Sequence, residues 1–536
     1  MSEHPVRVSW RFLRGVAAAP AVPLREGRNP VIRNGLRRAA TSRKVWIAAL
    51  SVAGLSTATT GVALAGVSGA GAAAAGATYN VKDSGAKGDG KANDASAINK
   101  AITTANAAGG GIVRFPSGTY KVGATIHLKS NVVIQLDAGS TISATGSGYD
   151  KAESNSNDKY QDYGHSHFND AVIRGDNVTN IGFTGSGTID GAGKLVTGDS
   201  VGSGKSDKLI SITRCDGLVV NGITLKSGGH FAMITNGCNN ITSDHLTIRT
   251  ANNRDGWNVI SAQHVTITNA DIAASDDALG FKSDFALGKH YQNGDVTVTD
   301  TKLSSSCCNA LMFGSETCGD FTGYHFSRIQ ITKAGKAGIG LTSQDGGKFA
   351  DINYTDITMS GTASPISLKV GTRKRCGDKP GIGDISDIHF TNITGTNAGS
   401  DWSPTLWGQP GHPVKNVTFN NVKLTLPGGH GAMDPTKVPS DSGNYNPRGI
   451  GTRPAYGWYL HNVEGITFTN SSVDVSKSDK RPGFDANGGS GIKLDGFTAE
   501  GGGGAPFDLG FQNIAGYCVT NAGSAKVGAT GSTQAC

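Results

Sequence analysis

The chain has 536 residues, 37% hydrophobic and 7% aromatic, with 78 glycines. That length can bury a large core, but so much glycine favours tight turns and argues against an ordinary helical enzyme. The net charge of +7 does not mark a nucleic-acid binder, because the first 75 residues hold ten Arg or Lys against two Glu and leave the remainder near neutrality.

From Arg37 a basic stretch leads into an apolar run from Val45 to about Leu64, with Ala63-Leu64-Ala65 as a small-residue cleavage site. This pattern predicts an extension and export signal over 1–75, then one domain over 76–536. The expected product is secreted, monomeric and without stable membrane association. After the signal, Asp94 followed by ASAINKAITTANAA reads as an N-capped amphipathic helix, ended by Gly109, Gly110 and Gly111.

From about Asn177 short β-rich runs recur, among them GLVVNGITL, NITSDHLTI, HVTITNADI, DVTVTDTKL and NVTFNNVKL. With Leu218, Ile241, Val265, Val296 and Tyr324 as equivalent positions, the intervals are 23, 24, 31 and 28 residues. Each run alternates apolar with polar residues and is bounded by Asn, Asp or Gly, as strands and turns are. A unit this short cannot bury its own apolar face, but coils stacked roughly 4.8 Å apart can. The expected class is all-β, a parallel β-helix with a short N-terminal capping helix.

Eight cysteines in an exported chain predict up to four disulfides. Cys518 with Cys536 would close the tail, and Cys215 with Cys238 are one coil apart; the other pairings are open. No Cys or His spacing suits zinc, and there is no phosphate-binding loop, so neither metal nor cofactor is expected.

Asp255, in NNRDGW, precedes Asp276-Asp277, in ASDDALGFKS, by 21 residues, close to one coil. Neighbouring rungs would set Asp255 beside the pair, and only a bend between strands lets both Asp276 and Asp277 reach solvent. Three crowded carboxylates push their pKa values apart, which suits acid and base work. Acids also suit turns through local hydrogen bonds, so spacing alone leaves both readings open.

VKDSGAKGDGKANDASAINKAI (81–102), GGGIVRFPSGTY (109–120), GSGTIDG (185–191), NRDG (253–256), SDDALGFKS (275–283) and FGSE (313–316) occur in an order that resembles glycoside hydrolase family 28, the polygalacturonase family. The resemblance implies a right-handed, single-stranded parallel β-helix that hydrolyses a polysaccharide with inversion. It implies Asp276 as general acid, with Asp255 and Asp277 holding and deprotonating the water. Asn253-Arg254-Asp255 is similar to the family's Asn-Thr-Asp motif, with Arg in place of Thr.

Two departures stand out. Cys308 or Asn309 falls where the family has His, and Gly340 and Thr342 fall where it has the Arg and Lys that bind a uronate carboxylate. Losing those ion pairs argues against homogalacturonan unless other cations compensate, and Arg254, Lys282, Lys369 and Arg373 are the candidates. Asn253, Trp257, Asn309 and Glu316 complete the expected substrate-binding set, while His230-Phe231, His165 and His167 could border the groove. The expected function is hydrolysis of a pectic or other plant or microbial glycan. The alternatives are a hydrolase of neutral α-glucan, a polysaccharide lyase and a noncatalytic glycan-binding solenoid.

Overall fold

Apolar residues at every second position, bounded by Asn, Asp or Gly, give strands of two to seven residues before Gln330, and from there on several of 12 to 22 residues among shorter ones. A computed structural model describes residues 76–536 apart from Asn253, Asp378, Lys379, Ala398, Ser400 and Asp401. The expected signal and the boundary after residue 75 lie outside the described residues.

The strands pair in parallel with their counterparts one coil before and after, which makes the fold a parallel β-helix. Leu218 pairs in register with Ile241, Ile241 with Val265, Val265 with Val296 and Val296 with Tyr324, so the equivalences read from the repeat hold position by position. All five side chains are buried in one continuous core. Along it the rings of Phe326, Tyr354, Phe390, Phe419 and Phe468 stack at centroid spacings of 4.4 to 5.0 Å.

The recurring Asn and Asp residues are the turns that close each coil. Asn392 and Asn421 both have φ +56°, a left-handed conformation that Asn tolerates better than most residues. Asn392 Nδ2 donates to Asp356 Oδ1 and Asn421 Nδ2 donates to Asn392 Oδ1, each at 2.9 Å. An amide can accept from one coil and donate to the next, so the turns form a ladder of their own.

The helix forms over Ala95–Ala107 and packs Ile98, Ala101, Ile102 and Ala105 into the first coils. Asp94 does not cap it. Its backbone (φ −90°, ψ −2°) is already helical rather than extended, and its carboxylate accepts instead from the N–H groups of Lys87 at 2.7 Å and Gly88 at 3.0 Å.

Disulfides join Cys215 to Cys238 and Cys518 to Cys536, the two pairings that spacing suggested, and also Cys307 to Cys308 and Cys318 to Cys376. Among the described residues no helix is long and apolar enough to cross a membrane.

Far from the cavity described below, burial pushes Asp485 up to about 8 despite a 3.3 Å hydrogen bond from Gln512 Nε2. A carboxyl raised on folding supplies stability that is full below its unfolded value and is lost as pH rises through its folded value. Asp485→Asn is therefore expected to raise Tm at pH 9 and leave it unchanged near pH 3; thermal unfolding at the two pH values checks this.

Candidate active site

The strand Asp255–Ile260 begins with Asp255, and Gly256 follows where the next coil comes close. A Cβ on Gly256 would come within 2.2 Å of Ala278 O, so the close approach of the next coil requires glycine there. The alternation of faces does not hold here: Asp255 lines the cavity while Trp257, two residues on, is in the core. Trp257 Nε1 donates to Thr235 Oγ1 at 3.2 Å. The expected sugar platform at Trp257 is thus core packing.

One coil on, residues 275–278 link the strands Asp271–Ala274 and Leu279–Ser283. This bend turns Asp276 and Asp277 the same way, and both line a cavity of about 510 Å³ together with Asp255. Asn258 Nδ2 donates to Asp255 Oδ2 at 2.7 Å, and the Asp277 N–H donates to Asp276 Oδ1 at 3.0 Å. Asp277 Oδ1 accepts from Asn309 twice, from the backbone at 3.0 Å and from Nδ2 at 2.7 Å. Asn309 Oδ1 in turn accepts from the Ala337 N–H at 3.1 Å. Asn309 therefore orients a carboxylate from behind. Asn309→Ala is expected to lower kcat by about tenfold to a hundredfold through loss of that alignment, with little change in Tm; steady-state kinetics and a melting curve read both.

Burial, then the charge of Asp276, pushes the Asp255 carboxyl well above the usual range. Burial, then Asp277, raises Asp276. Lys282 opposes both shifts. Asp255 and Asp276 therefore hold a proton to higher pH than isolated carboxyls would.

Lys282 lines the cavity and also contacts Glu316 at 3.3 Å. Glu316 is 1% exposed and lies beneath the groove rather than in it. It is the shared counter-ion of Lys282, Arg375 at 3.2 Å and Arg373 at 3.9 Å, with His165 Nδ1 at 3.8 Å. Burial pushes its carboxyl up, but the cations Lys282, Arg373 and Arg375 outweigh this and hold it well below its ordinary value. Arg373 is further committed to Asp345, whose Oδ1 it meets at 2.9 Å.

Lys369 likewise leaves the groove. Its Nζ is engaged by Asp441 and donates to Asn444 O at 2.7 Å, which anchors the loop that brings Tyr445 to the cavity. Arg254 lines the cavity, and its guanidinium has no hydrogen-bond or ion-pair partner among the described residues. Asn253 lies outside the described residues.

The rest of the wall comes from segments distant in sequence. His165 is buried with both ring nitrogens lacking a hydrogen-bond partner, and burial, then Lys282, pushes it down to about 3. His230 stacks on Phe231 at 4.4 Å and is pushed down to about 4 by burial and then Arg254. Both are neutral at ordinary pH. His167 stacks on Tyr163, at 4.1 Å, as an internal brace of its loop. Tyr163, Ser315 and Tyr445 also line the cavity, and Lys336 Nζ donates to the Tyr445 hydroxyl at 2.9 Å. No repeat or motif flags Tyr445, which sits in a loop between coils.

The model of Glycosyl hydrolases family 28 matches residues 112–442, more than half of the chain, so the chain belongs to that family. Among its relatives, an endo-polygalacturonase from Pectobacterium carotovorum subsp. carotovorum is 25% identical over 349 residues, 62% of this chain and 84% of the relative. A shorter match, 38% identical over 152 residues, covers 26% of this chain and 16% of alginate lyase 7 from Azotobacter vinelandii. The family 28 exopolygalacturonase of Yersinia enterocolitica has the same fold, with a TM-score of 0.57 and 17% identity over 78% of each chain.

Proposed function

We propose that this chain is a secreted glycoside hydrolase that cleaves a pectin-type polysaccharide with inversion. The observation that carries this reading is the meeting of Asp255, Asp276 and Asp277, from consecutive coils, on the wall of one cavity. Asp276, the acid that the family resemblance implies, has its carboxyl raised by burial and then by Asp277, which suits it to give its proton to the leaving oxygen. Asp277, fixed by Asn309, takes the proton of the attacking water, and Asp255, fixed by Asn258, helps hold that water. Four disulfides and the export-like leader support secretion. The polygalacturonase relative supports a pectic substrate, as does Arg254, a cavity-lining cation that has no side-chain partner among the described residues and is available to a uronate carboxylate.

A second reading, a neutral glycan, has specific support as well. Gly340 and Thr342 offer no cation, and Lys282, Lys369 and Arg373 are already paired. Reducing-end release from homogalacturonan, rhamnogalacturonan, arabinan, galactan and α-glucans separates the two. Cleavage of a uronate polymer that Arg254→Ala weakens supports the pectic reading; turnover confined to neutral polymers replaces it. An unsaturated product, seen by ultraviolet absorbance, overturns hydrolysis in favour of a lyase. Binding without turnover overturns catalysis altogether.

A further inference from the structure

Residues 306–310 lie one coil beyond the bend that carries Asp276 and Asp277. There Cys307 and Cys308, adjacent in sequence, are joined to each other. Each sulfur is within 4.8 Å of an Asp276 carboxylate oxygen. Backbone bonds seat the pair: the Cys307 N–H donates to Ser275 O at 3.0 Å, and the Lys336 N–H donates to Cys308 O at 2.9 Å. Ser305 Oγ accepts from the Cys308 N–H at 2.9 Å and donates to Asp276 O at 2.5 Å.

Such a disulfide does little for stability through chain entropy, because that effect grows with the length of loop closed and here the separation is one residue. Cys318–Cys376, which spans 58 residues, is far better placed for that role. What the adjacent pair does supply is chemical. A disulfide donates no hydrogen bond and its sulfurs are poor partners for a carboxylate, so the surface it presents to Asp276 solvates the carboxylate less well than water or a hydroxyl would. Tied by their own backbone, the sulfurs cannot swing aside.

Building on the reading of Asp276 as the acid, we propose that the Cys307–Cys308 disulfide is a positioning element of the site, an apolar wall that keeps Asp276 poorly hydrated and so protonated for its task. Burial is the largest influence raising this carboxyl. The charged or titratable groups around it are Asp277 and Asp255, which favour its proton, and Lys336 and Lys282, which oppose it, with Tyr445 across the cavity.

The test is the pH profile of kcat/KM for the full chain carrying Cys307→Ser with Cys308→Ser, on whichever polymer the wild type cleaves. Hydroxyls bring hydrogen bonds and water to Asp276, so the alkaline limb is expected to move to lower pH by about one unit. The Cys307→Ala, Cys308→Ala pair keeps an apolar surface and removes only the link, and is expected to move it less in the same direction. An unmoved limb in both variants overturns the proposal, because a simple staple would change Tm without changing the titration. Failure of both variants to fold also overturns it, assigning the disulfide to stability. Asp276→Asn in the wild-type background separates this inference from the reading beneath it. If that variant keeps turnover, Asp276 is not the acid; if it is inactive while the limb stays put, only the role of the disulfide falls.

Discussion

Asp276→Asn is expected to lower kcat by about a thousandfold while leaving the fold intact and, at neutral pH, slightly more stable. The loss follows from removing the proton donor, since an amide cannot protonate a leaving oxygen. The gain follows from linkage. Burial and the Asp277 charge raise the Asp276 carboxyl on folding, so its stabilising contribution is complete below the unfolded carboxylate value and disappears as pH rises through the folded one. Wild type should therefore match the variant near pH 3 and fall below it in Tm at pH 7. Asp255→Asn should show the same pattern more strongly, because Asp255 is buried and raised further. Reducing-end kinetics and melting curves at both pH values check the pair, and a fall in Tm at pH 7 would mean that hydrogen bonding at these positions outweighs the cost of their charge.

Glu316→Gln is expected to be the most destabilising single change in the region, by about 3 to 5 kcal/mol, because it leaves buried cations without their counter-ion. Lys282 is 3% exposed and contacts Glu316 at 3.3 Å, and Arg375 reaches the same carboxylate at 3.2 Å. The sign with pH is opposite to that of Asp276. Glu316 is held below its ordinary value, so the stability it adds is present above the unfolded carboxylate value and is lost as pH falls through the folded one. Denaturant unfolding at pH 7 should show the full difference between wild type and variant, shrinking in strong acid. Adding Lys282→Met to Glu316→Gln should recover part of the loss, since an apolar side chain costs less than an unpaired ammonium. If the double variant is no more stable than Glu316→Gln, then Lys282 is not the group whose charge Glu316 balances.

These two carboxylates also show where one-dimensional reading succeeds. Asp276 was recognisable because its partners recur at the coil period, and a solenoid turns sequence interval into spatial neighbourhood. Glu316 was recognisable as a residue of the region but not by its role. Its partners Arg373 and Arg375 come from a loop two coils later, and His165 from a loop six coils earlier, at separations that carry no period. Trp257 went to the core because alternation of faces does not hold between it and Asp255, at the close approach of the next coil to Gly256.

The sequence by itself determined the parallel β-helix, the register of its core positions, the meeting of Asp255 with Asp276 and Asp277, and two of the four disulfides. Each of these follows from a repeat that places residues one coil apart on neighbouring rungs. Only the tertiary structure decided which cations are committed to carboxylates, and that Arg254 lines the cavity with no side-chain partner among the described residues. It also decided that Tyr445 and His165 help close the site, and that a disulfide between adjacent cysteines lies against Asp276. Those arrangements depend on loops whose lengths differ from coil to coil, and the path of such a loop is set by what it packs against rather than by the period of the strands it joins.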